Sequence, residues 1–231
     1  MTMHFKKSLM LAAAFMAGLS TAHAASLHTN WEKFQAGRAM HRLSADGQKA
    51  MIDVLQARDL LSQGKVDAAI PPLYDAQKRL AAAAKDNRNF MAAESQLQPT
   101  PQHPAATAHK PSAGTVTWVP VGGEFIVTDT LAPEKKTAAQ AANQQLKAGQ
   151  TQQAQQTMQV VGEDADFIVA LAPLEPAQGA LNRATVFTEG RQAPQAVEAL
   201  DDLLSGIVFV SDDFLAQAAP DKAQAPAKKS Q

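Results

Sequence analysis

Residues 114–131 read GTVTWVPVGGEFIVTDTL, the one long run of the chain whose pattern is extended rather than helical. Val116, Trp118, Val121, Phe125 and Val127 sit among threonines, and that enrichment in β-branched and aromatic side chains suits a pleated, half-buried backbone. Pro120 lacks the amide that a central strand needs for a ladder on both sides, and Gly122-Gly123 supplies a permissive turn. The reading is an edge strand or a hairpin around that turn. Ala-rich helical patterns flank the stretch on both sides, which predicts a mainly α protein: helical hairpins with a small β element over about 115–129.

Outward toward the N-terminus, Thr29 and Asn30 are N-cap residues for a pattern carried by Trp31, Phe34 and Met40, with a second start near Ser44. Met51, Val54, Leu55 and Leu61 are expected on one helix face, and Gly64 as its left-handed stop. Pro71 and Pro72 would each cost about 3 kcal/mol in a helix interior, so the next helix is expected to begin near Ile70 with both prolines in its first turn. Leu73, Leu80 and the alanines carry it to about Leu97. Residues 98–113, QPTPQHPAATAHKPSA, hold proline at four places and no apolar period, the composition of a solvated linker or surface loop. His103 and His109 within it read as solvated loop histidines without a structured carboxylate partner.

On the other side, Pro133 and Glu134 start a helix with Ala138, Ala142 and Leu146 inward and Gly149 as stop, and a short helix to Val161 follows. Glu163, Asp164 and Asp166 precede Phe167-Ile168-Val169, a second strand lying against the first, closed by Pro173 and Pro176. A helical pair over 177–189 and 194–204 hinges at Gly190, and residues 207–210 make a last short strand. From Ala216 the Ala, Pro, Lys and Gln tail reads as disordered.

The three helix–glycine–helix passages share a pattern. Leu61-x-x-Gly64-x-x-x-x-Ala69-x-x-x-Leu73 matches Leu146-x-x-Gly149-x-x-x-x-Ala154-x-x-x-Met158, and around Gly190 the equivalents Ala196 and Leu200 are displaced by one. The small alanine lets two helix axes approach closely. With the glycines 85 and 41 residues apart, no single repeat period runs through them, so the reading is hairpins rather than a solenoid.

Lys6 and Lys7, the apolar run 9–19 and Ala22-His23-Ala24 follow the order of a secretory signal, so residues 1–24 read as a signal peptide cleaved after Ala24. That run of 11 residues falls short of the about 20 needed to span a bilayer. The mature chain is expected in the periplasm, with no stable membrane span. It contains no cysteine, which removes disulfides and thiolate chemistry. Its formal charge of −3 after cleavage gives no electrostatic case for nucleic acid.

A nucleophile elbow, a phosphate-binding glycine loop, a dinucleotide fingerprint and a His-Glu-x-x-His helix are all missing, and no catalytic residue, cofactor or metal is assigned. The remaining carboxylate groups, Glu163-Asp164 with Asp166, Asp201-Asp202 and Asp212-Asp213, read as solvated helix ends and turns.

With the signal, Leu43-Ser44-x-x-Gly47-Gln48-Lys49-Ala50, the Gly64 hairpin, Trp118-Val119-Pro120-Val121 to Glu124-Phe125 and Ala170-Leu171-x-Pro173-Leu174 in view, the chain resembles the YfdX family from about Trp31 to Phe214. The resemblance implies an exported, predominantly helical protein of Gram-negative bacteria, linked to acid and other envelope stress in enteric members, with no settled biochemical activity. Residues 98–113 and the tail after Ala216 look like additions to the family pattern.

These readings give a layout of signal peptide (1–24), N-terminal helical part (25–97), proline-rich linker or loop (98–113), extended centre with C-terminal helices of the same domain (114–215) and tail (216–231). The leading expectation is a non-enzymatic periplasmic stress-response protein, acid-linked, that binds clients or small apolar molecules. Trp31, Trp118, Phe125, Leu55, Leu73 and Leu200 are its candidate contacts. Protonating every carboxylate takes the mature chain from −3 to +19, and self-repulsion of that size loosens a compact domain. The alternative is a structural or partner-docking helical module that oligomerises in the envelope. Partners on these readings are unfolded or envelope proteins, with a homo-oligomer expected.

Overall fold

The structure, a computed structural model, describes residues 40–127, 131–159, 161 and 165–218. The signal, Thr29, Asn30, Trp31, Phe34, Glu163, Asp164 and the tail from 219 lie outside the described residues. The fold is mainly α with a small antiparallel sheet, as the sequence predicts.

Three helical hairpins carry the helical part. Helices α1 (Ala45–Ser62) and α2 (Val66–Ala83) turn at Gly64, α3 (Pro133–Lys147) and α4 (Thr151–Met158) at Gly149, and α5 (Leu174–Glu189) and α6 (Ala193–Ser205) beyond Gly190. Gly64 and Gly149 have φ of 72° and 73°, but in the third hairpin the left-handed residue is Arg191, at φ 60°. All three turns use the same paired hydrogen bonds: Gly64 to Leu61 O with Lys65 to Leu60 O, Gly149 to Leu146 O with Gln150 to Gln145 O, and Arg191 to Thr188 O with Gln192 to Phe187 O. The one-residue displacement of Ala196 and Leu200 therefore comes from the shift of the left-handed position to Arg191. Ala69, Ala154 and Ala196, each five residues past it, are fully buried where the paired helices approach.

The sheet has the order β1 (Phe90–Ala93), β2 (Thr115–Val127), β3 (Ala165–Pro173), β4 (Val208–Ser211), with every neighbour antiparallel. Successive side chains of β3 separate two cores. Ala170 and Ala172 join Val119 and Val121 against α1, α2, α5 and α6, while Phe167, Val169 and Leu171 join Val116, Trp118, Phe125, Val208 and Val210 against α3 and α4. Helix α7 (Asp212–Ala218) adds Leu215 to the second core. The sheet is thus sandwiched between two helical layers.

Several expectations are corrected. The stretch around Pro120 is not a hairpin, because β2 runs straight through Gly122-Gly123, and it is an edge strand only in part: residues 115–118 lie between β1 and β3, while from Val119 onward β2 pairs with β3 alone. Pro120 is tolerated because β1 pairs only with residues 115–118, leaving that side of β2 without a strand partner beyond Trp118. The register also shifts between Pro120 and Gly122. This bulge reverses the parity of the strand, so even-numbered Val116 and Trp118 and odd-numbered Phe125 and Val127 all reach one core.

Helix α2 starts at Val66 rather than near Ile70, placing Pro71 and Pro72 inside it. The carbonyls deprived of amide donors belong to Asp67 and Ala68, both exposed, and the Gly64 turn sets the restart that buries Ala69 and Leu73. The helix ends at Ala83, not Leu97: the Asn89 side chain donates to Ala83 O at 2.7 Å, and Phe90–Ala93 pairs with β2 as a strand. Leu55 is 45% exposed, because the buried stripe of α1 is Ala50, Val54, Ala57 and Leu61. At the far end, α7 carries helix past Ala216 to Ala218.

Candidate functional site

The proline-rich segment 98–113 is fastened across the sheet by both of its histidines. Glu94, in the 3-10 turn Glu94–Gln96 that follows β1, accepts from the Ser112 N–H at 2.7 Å and contacts His109 Nε2 through its other oxygen. His109 Nδ1 lies 2.7 Å from the carbonyl oxygen of Ser205, the last residue of α6. A carbonyl only accepts, so Nδ1 carries a proton there, and the ring serves both acceptors only as imidazolium. Burial alone would push the His109 pKa down. The Glu94 hydrogen bond, the Ser205 carbonyl and the Glu94 charge outweigh burial and hold it above the ordinary imidazole value. The helix end, with its exposed carbonyl dipoles, favours the same charged form.

His103 stacks on Phe209 of β4, with ring centroids 4.4 Å apart and planes 25° apart. Its Nε2 lies 3.1 Å from Glu124 Oε2 on β2. His103 and Glu124 are about one-third exposed, whereas the His109 and Glu94 side chains are 8% and 14% exposed. Both histidines therefore have structured carboxylate partners, contrary to the solvated-loop reading. The partners lie on β2 and beyond β1, and no local spacing around the histidines points to them. No group of three or more metal-ligating side chains forms among the described residues.

The predicted contact residues divide among three places. Trp118 is fully buried and its indole N–H donates to Ala92 O at 3.1 Å, and Phe125 packs at 4.9 Å on Phe167, both in the core under α3 and α4. Leu73 and Leu200 are fully buried in the other core. Leu55 faces solvent, and Trp31 lies outside the described residues. In the folded chain Trp118, Phe125, Leu73 and Leu200 serve packing, and contact with a ligand requires the layers to part.

The acidic pairs join elements through ion pairs. Asp201 meets Arg58 of α1, Asp202 meets Arg183 at 3.3 Å and Lys110 at 3.6 Å, and Asp212 meets Arg42 at 2.9 Å. Asp166 is exposed. No described helix is long and apolar enough to cross a membrane.

No curated protein matches the chain. Among solved structures, that of Salmonella Typhi YfdX is 22% identical with a TM-score of 0.45, the comparison covering 73% of this chain and 90% of that one. The model of the YfdX protein family matches residues 50–213, from within α1 to the start of α7. The chain belongs to the YfdX family.

Proposed function

We propose that this protein is a non-enzymatic periplasmic stress-response protein that binds non-native polypeptides or small apolar molecules when acid loosens its layers. The observation that carries the reading is the His109–Glu94 contact, a buried charged pair that ties the proline-rich segment to the end of α6. Acid strong enough to protonate carboxylates removes the negative partner and leaves a buried cation without it.

Other carboxylates support the same direction. Burial raises Asp86, but the Arg88 amide, the Ser44 hydroxyl and the Arg88 guanidinium outweigh it and hold it below its ordinary value. Glu175 is likewise raised by burial and lowered further by its own amide and by the Thr117 hydroxyl and amide. A carboxylate with a depressed folded pKa adds stability above its unfolded value, and that stability is lost as pH falls through the folded one. Asp53 acts in the opposite sense, since burial outweighs the opposing Arg79 charge and holds its pKa up. The side chains such opening would bare are Leu73 and Leu200 in one core and Trp118 and Phe125 in the other.

The test is suppression of client aggregation by the mature chain, followed by light scattering at neutral pH and near pH 3. Suppression confined to acid supports the reading, and suppression at neither pH sinks it. A partner-docking module is the second reading, favoured by Met91, 72% exposed on the outer strand β1. A dimeric or larger mass at neutral pH that falls on Met91→Lys substitution would support it.

A further inference from the structure

Two anchors hold the proline-rich segment, with a bare span between them. At its start, Pro99 bridges Val210, the Thr100 N–H donates to Phe209 O at 2.9 Å, and the His103 ring stacks on Phe209. Residues 104–108 are then exposed without a break. Past them, the hydrogen bonds that tie residues 104–113 to the rest of the described chain all pass through two side chains: His109 to the Ser205 carbonyl, His109 to Glu94, and the Ser112 N–H to Glu94. The second anchor is therefore as firm as the fit of one imidazole between two acceptors. A ring with both protons serves a carbonyl and a carboxylate together. A neutral ring has one N–H, so in either tautomer it leaves one acceptor facing a nitrogen lone pair, in a place where the His109 and Glu94 side chains are mostly buried.

We propose that residues 104–112 form a strap fastened by the second ring proton of His109: it is closed while that proton is held and swings off the end of α6 when the proton is lost, with Pro99, Thr100 and His103 staying in place as its hinge. The strap therefore opens as pH rises. Burial opposes the charged ring, but the Glu94 hydrogen bond, the Ser205 carbonyl and the Glu94 charge outweigh it and hold His109 above 6.5, so the fastening is complete below that value and is lost as pH rises through the folded one. The charged groups around the ring are few. Glu94 faces it from beyond β1, and on α6 Asp202 lies a turn before Ser205, pairing with Lys110 of the strap at 3.6 Å and with Arg183 of α5 at 3.3 Å. Lys110 is 84% exposed, so its pair with Asp202 adds little to the closure. His103, beside Glu124 of β2, belongs to the hinge. This inference makes no use of the acid loosening proposed above, since it concerns the pH range in which histidine changes charge.

Because the natural chain has no cysteine, nitroxide labels at Thr107→Cys and Gln195→Cys report a single distance, from the strap to a point on α6 about 15 Å before Ser205. Both positions are exposed. In double electron–electron resonance a short distance should dominate at pH 6, and the share at longer distance should rise about fivefold or more by pH 9, the difference between a charge-assisted and a neutral hydrogen bond. The midpoint of that rise should match the loss of the His109 ring proton, followed by its imidazole carbon shifts. A distribution unchanged from pH 6 to pH 9, or a midpoint apart from the His109 titration, overturns the proposal. In the labelled chain, His109→Gln should show the longer distance already at pH 6 with no further change, and His103→Gln should keep the full pH response. A wild-type response that persists in His109→Gln, or vanishes in His103→Gln, also overturns it. Aggregation suppression in acid is read separately, so the strap and the stress-protein reading can each fail alone.

Discussion

The Asn143 side chain stands in for a missing strand at Phe125: its amide oxygen accepts the Phe125 N–H at 2.8 Å and its nitrogen donates to the Phe125 carbonyl at 2.9 Å. Strand β1 stops opposite Trp118, so without Asn143 both groups would face the apolar side of α3 unpaired. Asn143→Ala should destabilise the fold by about 1–3 kcal/mol in urea unfolding. Asn143→Asp keeps the acceptor and loses the donor at neutral pH, and should recover part of the loss in acid, where a protonated carboxyl donates to the Phe125 carbonyl.

Gly123 is required by contact rather than by backbone conformation. A Cβ there would press on the edge of the Phe167 ring and lie 2.8 Å from the Ile168 carbonyl oxygen of the neighbouring strand. Gly123→Ala should cost about 1–3 kcal/mol through forced displacement of β3. Gly122→Ala, whose nearest neighbour is Ala170 Cβ at 3.9 Å, should cost less in the same thermal or urea measurement.

The hairpin turns make a paired prediction. Gly64→Ala places a side chain in open space but at φ 72°, so it should cost about 1 kcal/mol from backbone strain alone. Arg191→Gly at φ 60° should gain a similar amount, reduced by loss of the exposed contact with Asp67. Opposite signs for the two variants are the expected result.

His109 gives the pH dependence its sign. Its folded pKa is raised, so the stability it adds is complete below the ordinary value of 6.5 and is lost as pH rises through the folded value. His109→Gln should therefore lower stability by about 1–2 kcal/mol near pH 6, with the gap from wild type closing toward pH 9. A gap that stays constant from pH 6 to pH 9 would contradict a charged His109.

Much of this fold is legible where the signal is local. The glycine stops at 64 and 149, the alanines five residues on, and the apolar runs of β3 and β4 all follow from short-range chemistry. Two departures, β1 and Pro120, have their cause in partners distant along the chain, and those at Pro71, Pro72 and Leu55 come from helix geometry. Phe90–Ala93 carries no strand signal of its own and becomes β1 by pairing with residues 115–118. Pro120 is allowed in an internal strand because that partner ends at Trp118, and Pro71 and Pro72 are carried in α2 because the Gly64 turn fixes where it starts. Apolar spacing on α1 misplaces Leu55 because small residues, Ala50 and Ala57, occupy the close helix contact that a leucine would be expected to fill. The site is least legible. Nothing near His109 in sequence points to Glu94 or Ser205, which the curled sheet and the end of α6 bring to it.

The most direct test is an acid titration of the mature chain from pH 7 to pH 3, with an apolar-surface dye and far-UV circular dichroism read on the same samples. The account predicts that dye fluorescence rises while the helical signal is retained, the signature of layers parting with their helices intact. Dye binding that never rises, or rises only in step with loss of the helical signal, would contradict it.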